Sequence, residues 1–204
     1  MRRVAEPRAL LSVTGLILAG GQGQRMCGRD KGLLELGGQS MIAHVIERLR
    51  PQVDELLISA NRHPADYQAL GCPVIADHTP DYTGPLAGML RGLEQARGNW
   101  LVTAPCDSPF LPHDLVRRLR AAVAHEEAIA VVHARGELQP VFALIPTCLA
   151  ASLQDFLRRA RRKISDWYGE HLLVSVDFSD QDAAFDNINT EDDRLRALAR
   201  LSAA

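Results

Sequence analysis

The sequence lacks the features that would place the chain in a membrane or on a nucleic acid. Its 204 residues contain no apolar run of about 18 residues, so it predicts no membrane-spanning helix. The formal net charge is only −2, which argues against a general nucleic-acid binder. Residues 1–8 are charged and lack the apolar core of a signal peptide, so we expect a cytoplasmic protein.

Paired cysteines are absent and lysines are scarce. The four cysteines form no C-x-x-C pair, so the sequence predicts free thiols and no zinc or redox motif. Lys31 and Lys163 are the only lysines, the other basic residues being arginines. Because Lys31 lies in a glycine-rich segment, its position carries more information than that of an ordinary surface lysine.

The remaining composition is that of a folded domain. Hydrophobic residues make up 47% and charged residues 24%, values that favour a packed core over disorder. The chain length suits one domain. We therefore predict a flexible tail over residues 1–12 and a single domain over residues 13–204, with no internal linker or repeat.

Short apolar strands alternate with helical stretches, which is the pattern of a mostly parallel α/β sheet. We predict a three-layer α/β/α domain in which the second and third strands follow each other directly. The fifth and sixth strands are expected to form a hairpin. The predicted strands cover residues 14–19, 55–60, 72–76, 99–104, 128–133, 140–145 and 172–176. The predicted helices cover residues 40–50, 85–98, 113–124 and 147–160, and a last one is capped by Thr190 with Asp193.

The candidate functional residues follow the ends of the first four strands. A glycine-rich segment follows the first, Ser59 ends the second, and Asp77 and Asp107 follow the third and fourth. Ligands of open parallel sheets bind at the carboxyl ends of strands, so we expect these residues to converge at one edge.

The glycine-rich segment, residues 18–33, has the character of a phosphate-binding loop. A glycine-rich turn after a buried strand lets backbone N–H groups approach a phosphate chain. Arg25 and Lys31 add positive charge. Two standard motifs fail here: Met26 stands where a dinucleotide fingerprint needs its third glycine, and residues 29–30 (R-D) replace the Lys-Ser/Thr of a P-loop.

Several motifs together resemble a known family. Residues 18–21 (L-A-G-G), 25–26 (R-M), Gly28 and residues 30–33 (D-K-G-L) resemble the signature of the molybdenum cofactor guanylyltransferases, the MobA family. Cys27 departs from it, because the family usually has glycine there. Further segments resemble other motifs of the same family: residues 60–63 (A-N-R-H), 77–88 (D-H-T-P-D-Y-T-G-P-L-A-G), 105–109 (P-C-D-S-P), 139–144 (Q-P-V-F-A-L), 176–180 (V-D-F-S-D) and 187–190 (N-I-N-T).

The resemblance implies a Rossmann-like nucleotidyltransferase fold and an activity. Family members transfer GMP from GTP to the phosphate of molybdopterin with Mg²⁺, for which Mn²⁺ is an alternative. By resemblance Arg25, Lys31 and Asp107 are catalytic, and Asp107 is also the metal ligand. The implied GTP-binding residues are Leu18, Ala19, Gly20, Gly21, Gly23, Lys31, Ser59, Asp77 and Asp107.

The resemblance assigns GTP to the N-terminal half and the pterin to the C-terminal half. The candidate pterin-binding residues are Arg158, Arg162, Asn187 and Asn189. The simpler interpretation of the arginines is a solvated helix face. The asparagines could be turn formers before the last helix, or they could complete the metal shell. The family also implies molybdenum-insertion proteins and recipient molybdoenzymes as partners.

Three other functions stay open at this point. A cytidylyltransferase acting on the same pterin differs only in the base, and a guanine pocket needs an acceptor for N1–H and N2–H₂ that the sequence does not identify. A sugar-1-phosphate nucleotidyltransferase is disfavoured by the C-terminal motifs. Cys27 favours a non-catalytic molybdopterin carrier, whereas Arg25, Lys31 and Asp107 argue against one.

Overall fold

The computed structural model describes residues 12–19, 30–77 and 84–203. The strands in this part of the chain are β1 (Val13–Leu18), β2 (Glu35–Leu36), β3 (Gln39–Ser40), β4 (Glu55–Ser59), β5 (Val74–Ile75), β6 (Trp100–Pro105), β7 (Ile129–Ala134), β8 (Glu137–Pro146) and β9 (Leu173–Asp177). The α-helices are α1 (Met41–Leu49), α2 (Pro64–Gln68), α3 (Pro85–Gln95), α4 (Leu115–Ala122), α5 (Ala150–Arg158), α6 (Ile164–Tyr168) and α7 (Glu191–Ser202).

The central sheet is mostly parallel, as the sequence predicts. It has seven strands in the order β5-β4-β1-β6-β8-β7-β9. The pairs β1–β4, β1–β6, β4–β5 and β7–β9 are parallel. Strand β8 runs antiparallel to both β6 and β7, which confirms the predicted hairpin.

Helices cover both faces of the sheet because alternate strand residues point to opposite sides. Ile17 and Val102 pack in one apolar core with α1 and α4. Leu16 and Leu101 pack in a second core with α3, α5 and α6. The structure is thus the predicted three-layer α/β/α arrangement.

Short elements account for the differences from the sequence prediction. Helix α2 lies between β4 and β5, where strand was expected to follow strand, and the β2–β3 hairpin and α6 were not predicted. None of these elements exceeds five residues, which is too short to show a hydrophobic period. The predicted helix over residues 147–160 begins with a 3₁₀ turn, Thr147–Leu149, and ends at Arg158.

The last helix is anchored where it was predicted to begin. The Thr190 hydroxyl accepts a hydrogen bond from Asp193 N at 3.1 Å, and the Asp193 carboxylate accepts one from Thr190 N at 2.8 Å. This reciprocal capping box confirms the expected start of α7. Ala197 of α7 packs in a small third core with Phe110 and Ile188, which brings the segment before α7 to the sheet edge.

The predicted tail lies outside the described residues except for Ser12. The division of the chain into one domain with a GTP half and a pterin half stays a prediction. Among the helices that the structure describes, none is long and apolar enough to cross a membrane.

Candidate active site

The strand order places the candidate site at a reversal of the sheet. Strands β4 and β5 lie on one side of β1, whereas β6, which follows them in the chain, pairs with the opposite edge of β1. Such a reversal opens a crevice at the carboxyl ends of the two strands that flank it. The glycine-rich segment leaves β1 there, and Asp107 follows β6 at the same end.

Backbone hydrogen bonds extend this edge beyond the strands. Ala19 N donates to Ser59 O at 2.8 Å, and Cys106 N donates to Leu18 O at 3.1 Å. The ends of β1, β4 and β6 are therefore held side by side. This arrangement confirms the expected convergence of the first, second and fourth strands.

Lys31, Asp107 and Asn189 meet at this edge although they are far apart in sequence. Lys31 Nζ lies 3.5 Å from Asp107 Oδ2, and it donates a hydrogen bond to Asn189 Oδ1. The side chains of Lys31 and Asp107 are 23% and 15% exposed, so both are shielded yet reachable from solvent. The structure thus brings two predicted catalytic residues together with a predicted pterin-binding residue.

The environment of Asp107 opposes its negative charge. Burial raises the pKa of this carboxyl above its ordinary value, although the nearby Lys31 ammonium acts to lower it. One cation at 3.5 Å does not fully compensate the lost solvation. The Asp107 carboxylate is therefore in a position to gain from additional positive charge.

Asn187 and Asn189 belong to a segment that is docked on the Asp107 turn. Ile188 N donates to Asp107 O at 2.9 Å, and the Ser108 hydroxyl donates to Asn187 Oδ1 at 2.6 Å. Asn187 thus holds the segment in place, and Asn189 contributes its amide oxygen to the site. Their roles in pterin binding stay predictions.

Asp77 is held in a fixed orientation by Asn61. The Asn61 side chain accepts from Asp77 N at 2.8 Å and donates to Asp77 Oδ2 at 2.8 Å. The other carboxylate oxygen, Oδ1, is buried and has no hydrogen-bond partner in the structure as described. An unpaired buried acceptor is costly, which marks Asp77 Oδ1 as a place for a ligand donor.

Ser59 and Leu18 lie at the strand ends, close to α3. A Cβ atom placed on Gly88 would come within 2.5 Å of Ser59 Oγ and 2.9 Å of Leu18 Cδ2. Ser59 and Ala19 are buried, and Leu18 is partly buried. The glycine lets α3 approach the strand ends closely, and the predicted contacts of these residues with GTP stay untested.

The two arginines predicted to bind the pterin are placed apart from this network. Arg158, at the end of α5, pairs with Asp155 at 2.9 Å. Arg162 donates to Leu157 O at 2.9 Å and to Arg161 O at 2.8 Å. Within the described ranges, no hydrogen bond or ion pair joins either arginine to Lys31 or Asp107. Of the two arginines only Arg158 lies in a helix, because α5 ends there and α6 begins at Ile164, so they do not share the single solvated helix face that the sequence suggested.

Four predicted residues of the glycine-rich loop, with Cys27, fall outside the described residues. These are Gly20, Gly21, Gly23 and Arg25. Two residues that the sequence analysis did not assign contact predicted site residues or their neighbours. Asn61 holds Asp77, and the Tyr67 hydroxyl donates a hydrogen bond to Asp30, the residue before Lys31. Asn61 lies within a recognised motif, A-N-R-H, which offered a signal, whereas nothing in the sequence marked Tyr67.

The sheet reversal and the Lys31–Asp107 pair at its edge are consistent with a nucleotidyltransferase, and the match to a family of such enzymes shows that class. The model of the MobA-like NTP transferase domain matches residues 15–174, and the chain belongs to this family.

Named relatives agree with this assignment. The chain is 51% identical over 187 residues to the molybdenum cofactor guanylyltransferase of Cupriavidus metallidurans, covering 89% of this chain and 92% of the relative. It is 44% identical over 191 residues to that of Shewanella frigidimarina, covering 93% and 97%. The structure of molybdopterin-guanine dinucleotide biosynthesis protein A from Archaeoglobus fulgidus has the same fold, with a TM-score of 0.76 at 22% identity over 94% of this chain and 100% of that one.

Proposed function

We propose that the chain is a molybdenum cofactor guanylyltransferase. It transfers GMP from GTP to the phosphate of molybdenum-molybdopterin and releases pyrophosphate. The observation that carries the proposal is the Lys31–Asp107 pair at the sheet reversal, in a chain about half identical to relatives of that name. A non-catalytic carrier has no use for this pair, so it is the less favoured function.

In the proposed reaction a phosphate oxygen of the pterin attacks the α-phosphorus of GTP. A new P–O bond forms, the bond to the β-phosphate breaks, and pyrophosphate leaves with its electrons. The attacking phosphate is already ionised near neutral pH, so no strong general base is needed. What the protein has to supply is alignment and neutralisation of negative charge.

Lys31 supplies positive charge close to the proposed position of the reacting phosphates. Its ammonium is oriented by Asp107 and Asn189, so it is held in place before the substrate arrives. We propose that this ammonium stabilises the negative charge that develops on the leaving pyrophosphate. Arg25 and the N–H groups of residues 20–23 are proposed to bind the same phosphates, as their sequence positions suggest.

Asp107 fits a role in holding Mg²⁺, with Mn²⁺ as the alternative. Protein sites for Mg²⁺ often use one or two carboxylates together with substrate phosphates. Among the described residues no group of three or more His, Cys, Asp or Glu side chains could hold a metal ion. We therefore propose a site that Asp107 shares with the substrate phosphates. When bound, the cation would neutralise phosphate charge. We propose Asp107 as the residue that would hold it, because its carboxylate lies at the sheet edge, 3.5 Å from Lys31 Nζ and partly exposed to solvent.

Asp77 is proposed as the acceptor for the guanine base. Its free Oδ1 fits the N1–H and N2–H₂ donors that guanine presents and that cytosine does not present in that arrangement. Asn61 occupies Oδ2 and so leaves Oδ1 for the ligand. The backbone before Asp77 is held as well, because Arg91 Nε donates to Ala76 O at 3.0 Å. A site that leaves such an acceptor unpaired with the wrong base discriminates strongly.

The test is a nucleotide-transfer assay. Purified protein is mixed with molybdate-loaded molybdopterin, Mg²⁺ and GTP, CTP, ATP or ITP, and both pyrophosphate and the pterin-bound nucleotide are measured. We expect GMP-pterin with GTP, little product with CTP or ATP, and weaker use of ITP, which lacks the N2 amino group. CMP-pterin would move the chain to the cytidylyl branch, and no product from folded protein would refute the proposal.

A further inference from the structure

The residue before Lys31 is tied to the buried core. Asp30 Oδ1 accepts a hydrogen bond from the Tyr67 hydroxyl at 2.5 Å and another from Gly32 N at 3.2 Å. Asp30 is the N-cap of the 3₁₀ turn Lys31–Leu33. The same carboxylate oxygen therefore closes the turn locally and connects it to a residue 37 positions away.

Tyr67 is a rigid anchor for this connection. It lies on α2, it is completely buried, and it packs in the core shared by α1 and α4. Burial raises the pKa of its phenol, and the Cys106 thiol and Asp30 act in the same direction. The hydroxyl therefore stays protonated over the pH range of the folded protein and remains a donor to Asp30.

The contact also leaves the turn little room to shift. A Cβ atom on Gly32 would come 2.7 Å from the Tyr67 hydroxyl oxygen and 3.3 Å from Cys106 Cβ. Cys106 immediately precedes Asp107. The turn that carries Lys31 is thus wedged between the Tyr67 hydroxyl and the segment that carries its partner.

We propose that Tyr67 is a positioning residue for catalysis: its hydroxyl, acting through Asp30, fixes the turn from which Lys31 reaches Asp107 and Asn189. Tyr67 itself touches none of the proposed reacting groups. The inference rests on the proposed function, since it assigns Tyr67 an effect on the step that Lys31 assists.

A matched pair of variants separates this role from simple core packing. Tyr67→Phe removes the hydroxyl and keeps the ring, and Tyr168→Phe does the same to another buried tyrosine, whose hydroxyl donates to Pro140 O at 2.8 Å. Both variants lose one buried hydrogen bond, so both should lower the Tm to a similar extent. A misplacement of about 1 Å can cost about 100-fold in rate. We therefore expect kcat to fall roughly 10- to 100-fold in Tyr67→Phe, with little change in the KM for GTP. Tyr168→Phe should keep the wild-type kcat.

A double-mutant cycle tests whether the effect passes through Lys31. Lys31→Ala should lower kcat by about 10²–10³-fold. If Tyr67 acts through Lys31, then adding Tyr67→Phe to Lys31→Ala should lower kcat no further. Losses that multiply in the double variant, or equal losses of kcat in Tyr67→Phe and Tyr168→Phe, would overturn the proposal.

Amide hydrogen exchange supplies a readout that needs no turnover. The amides of residues 32–34 close the turn through Asp30 and Lys31. They should exchange faster in Tyr67→Phe than in wild type and than in Tyr168→Phe. Unchanged exchange would refute the anchoring role whether or not the protein transfers GMP. A wild-type protein without GMP transfer but with the expected exchange pattern would refute only the proposed function.

Discussion

Asp107 carries a carboxylate in surroundings that favour its neutral form. Burial is the larger influence on its pKa, and Lys31, at 3.5 Å, offsets only part of it. Ionised Asp107 therefore lowers the stability of the folded protein, and a cation that approaches the carboxylate reduces this loss. A group kept under such conditions is better explained by function than by its contribution to folding.

Replacement of Asp107 should separate function from stability. Because the folded-state pKa is raised, the favourable contribution of this carboxyl is complete below its ordinary value of 3.8 and is lost as the pH rises through the folded-state value. At pH 7 we expect Asp107→Asn to unfold in urea at an equal or higher midpoint than wild type, while Mg²⁺-dependent turnover is abolished.

The same comparison at lower pH supplies the control. The advantage of Asp107→Asn in urea should shrink as the pH falls through the raised folded-state pKa of Asp107, since the wild-type carboxyl becomes protonated there. A large loss of stability in Asp107→Asn at pH 7 would instead show that the carboxylate has a structural role.

At the scale of single elements, the start of α7 positions the segment that completes the site. Asn189 N donates to the Asp193 carboxylate at 3.0 Å, next to the capping box formed by Thr190. The Asp193 carboxylate thus caps the start of α7 and also fixes the backbone of Asn189. The sequence predicted this cap because its pattern is local, and the resemblance placed Asn189 in the site. The direct contact of Asn189 with Lys31 was not predicted.

The capping box makes a pH-dependent contribution to stability. Hydrogen bonding with Thr190, then with Asn189 N, lowers the pKa of Asp193 to about 2 from its ordinary value of 3.8. The contribution is therefore present above 3.8 and is lost as the pH falls towards 2. We expect Asp193→Asn to reduce the free energy of unfolding at pH 7 by roughly 0.3–1 kcal/mol, the range for a charge at a helix N-terminus.

Urea unfolding of Asp193→Asn at pH 7 and near pH 2 measures this difference, which should be much smaller near pH 2, where Asp193 becomes protonated in the folded protein. Asp192→Asn is the matched control, because it removes a charge from the same turn without touching the reciprocal bonds. Equal effects of the two substitutions at pH 7 would mean that general charge, and not the capping box, stabilises the helix start.

At the scale of the whole molecule, the sheet order assembles the site from distant parts of the chain. Lys31 lies 76 positions from Asp107 and 158 from Asn189, yet all three meet at one edge. The three-layer packing fixes β1 next to β6, and the small third core holds the C-terminal segment against them. Binding at this edge should therefore be coupled to the stability of the entire fold.

This coupling predicts a stabilisation by nucleotide. A ligand that binds only the native state at 100 times its Kd adds about 2.7 kcal/mol to the free energy of unfolding. With Mg²⁺ present, we expect GTP to raise the Tm measurably, and CTP at the same concentration to raise it much less. An equal shift with both nucleotides would argue against base recognition by Asp77.

The sequence alone determined the class of fold and indicated the chemical groups that we propose for the site. Apolar strands and the α7 cap are local patterns, so they predicted the sheet and the start of the last helix. The proposed roles of Lys31 and Asp107 rest on the resemblance of their motifs to those of a known family. The tertiary structure decided what is not local: the hydrogen bond from Tyr67 to Asp30, the hydrogen bonds that join Asn61 to Asp77, and the contact of Asn189 with Lys31. These depend on which strands become neighbours, and each joins residues whose separation along the chain carries no periodic signal.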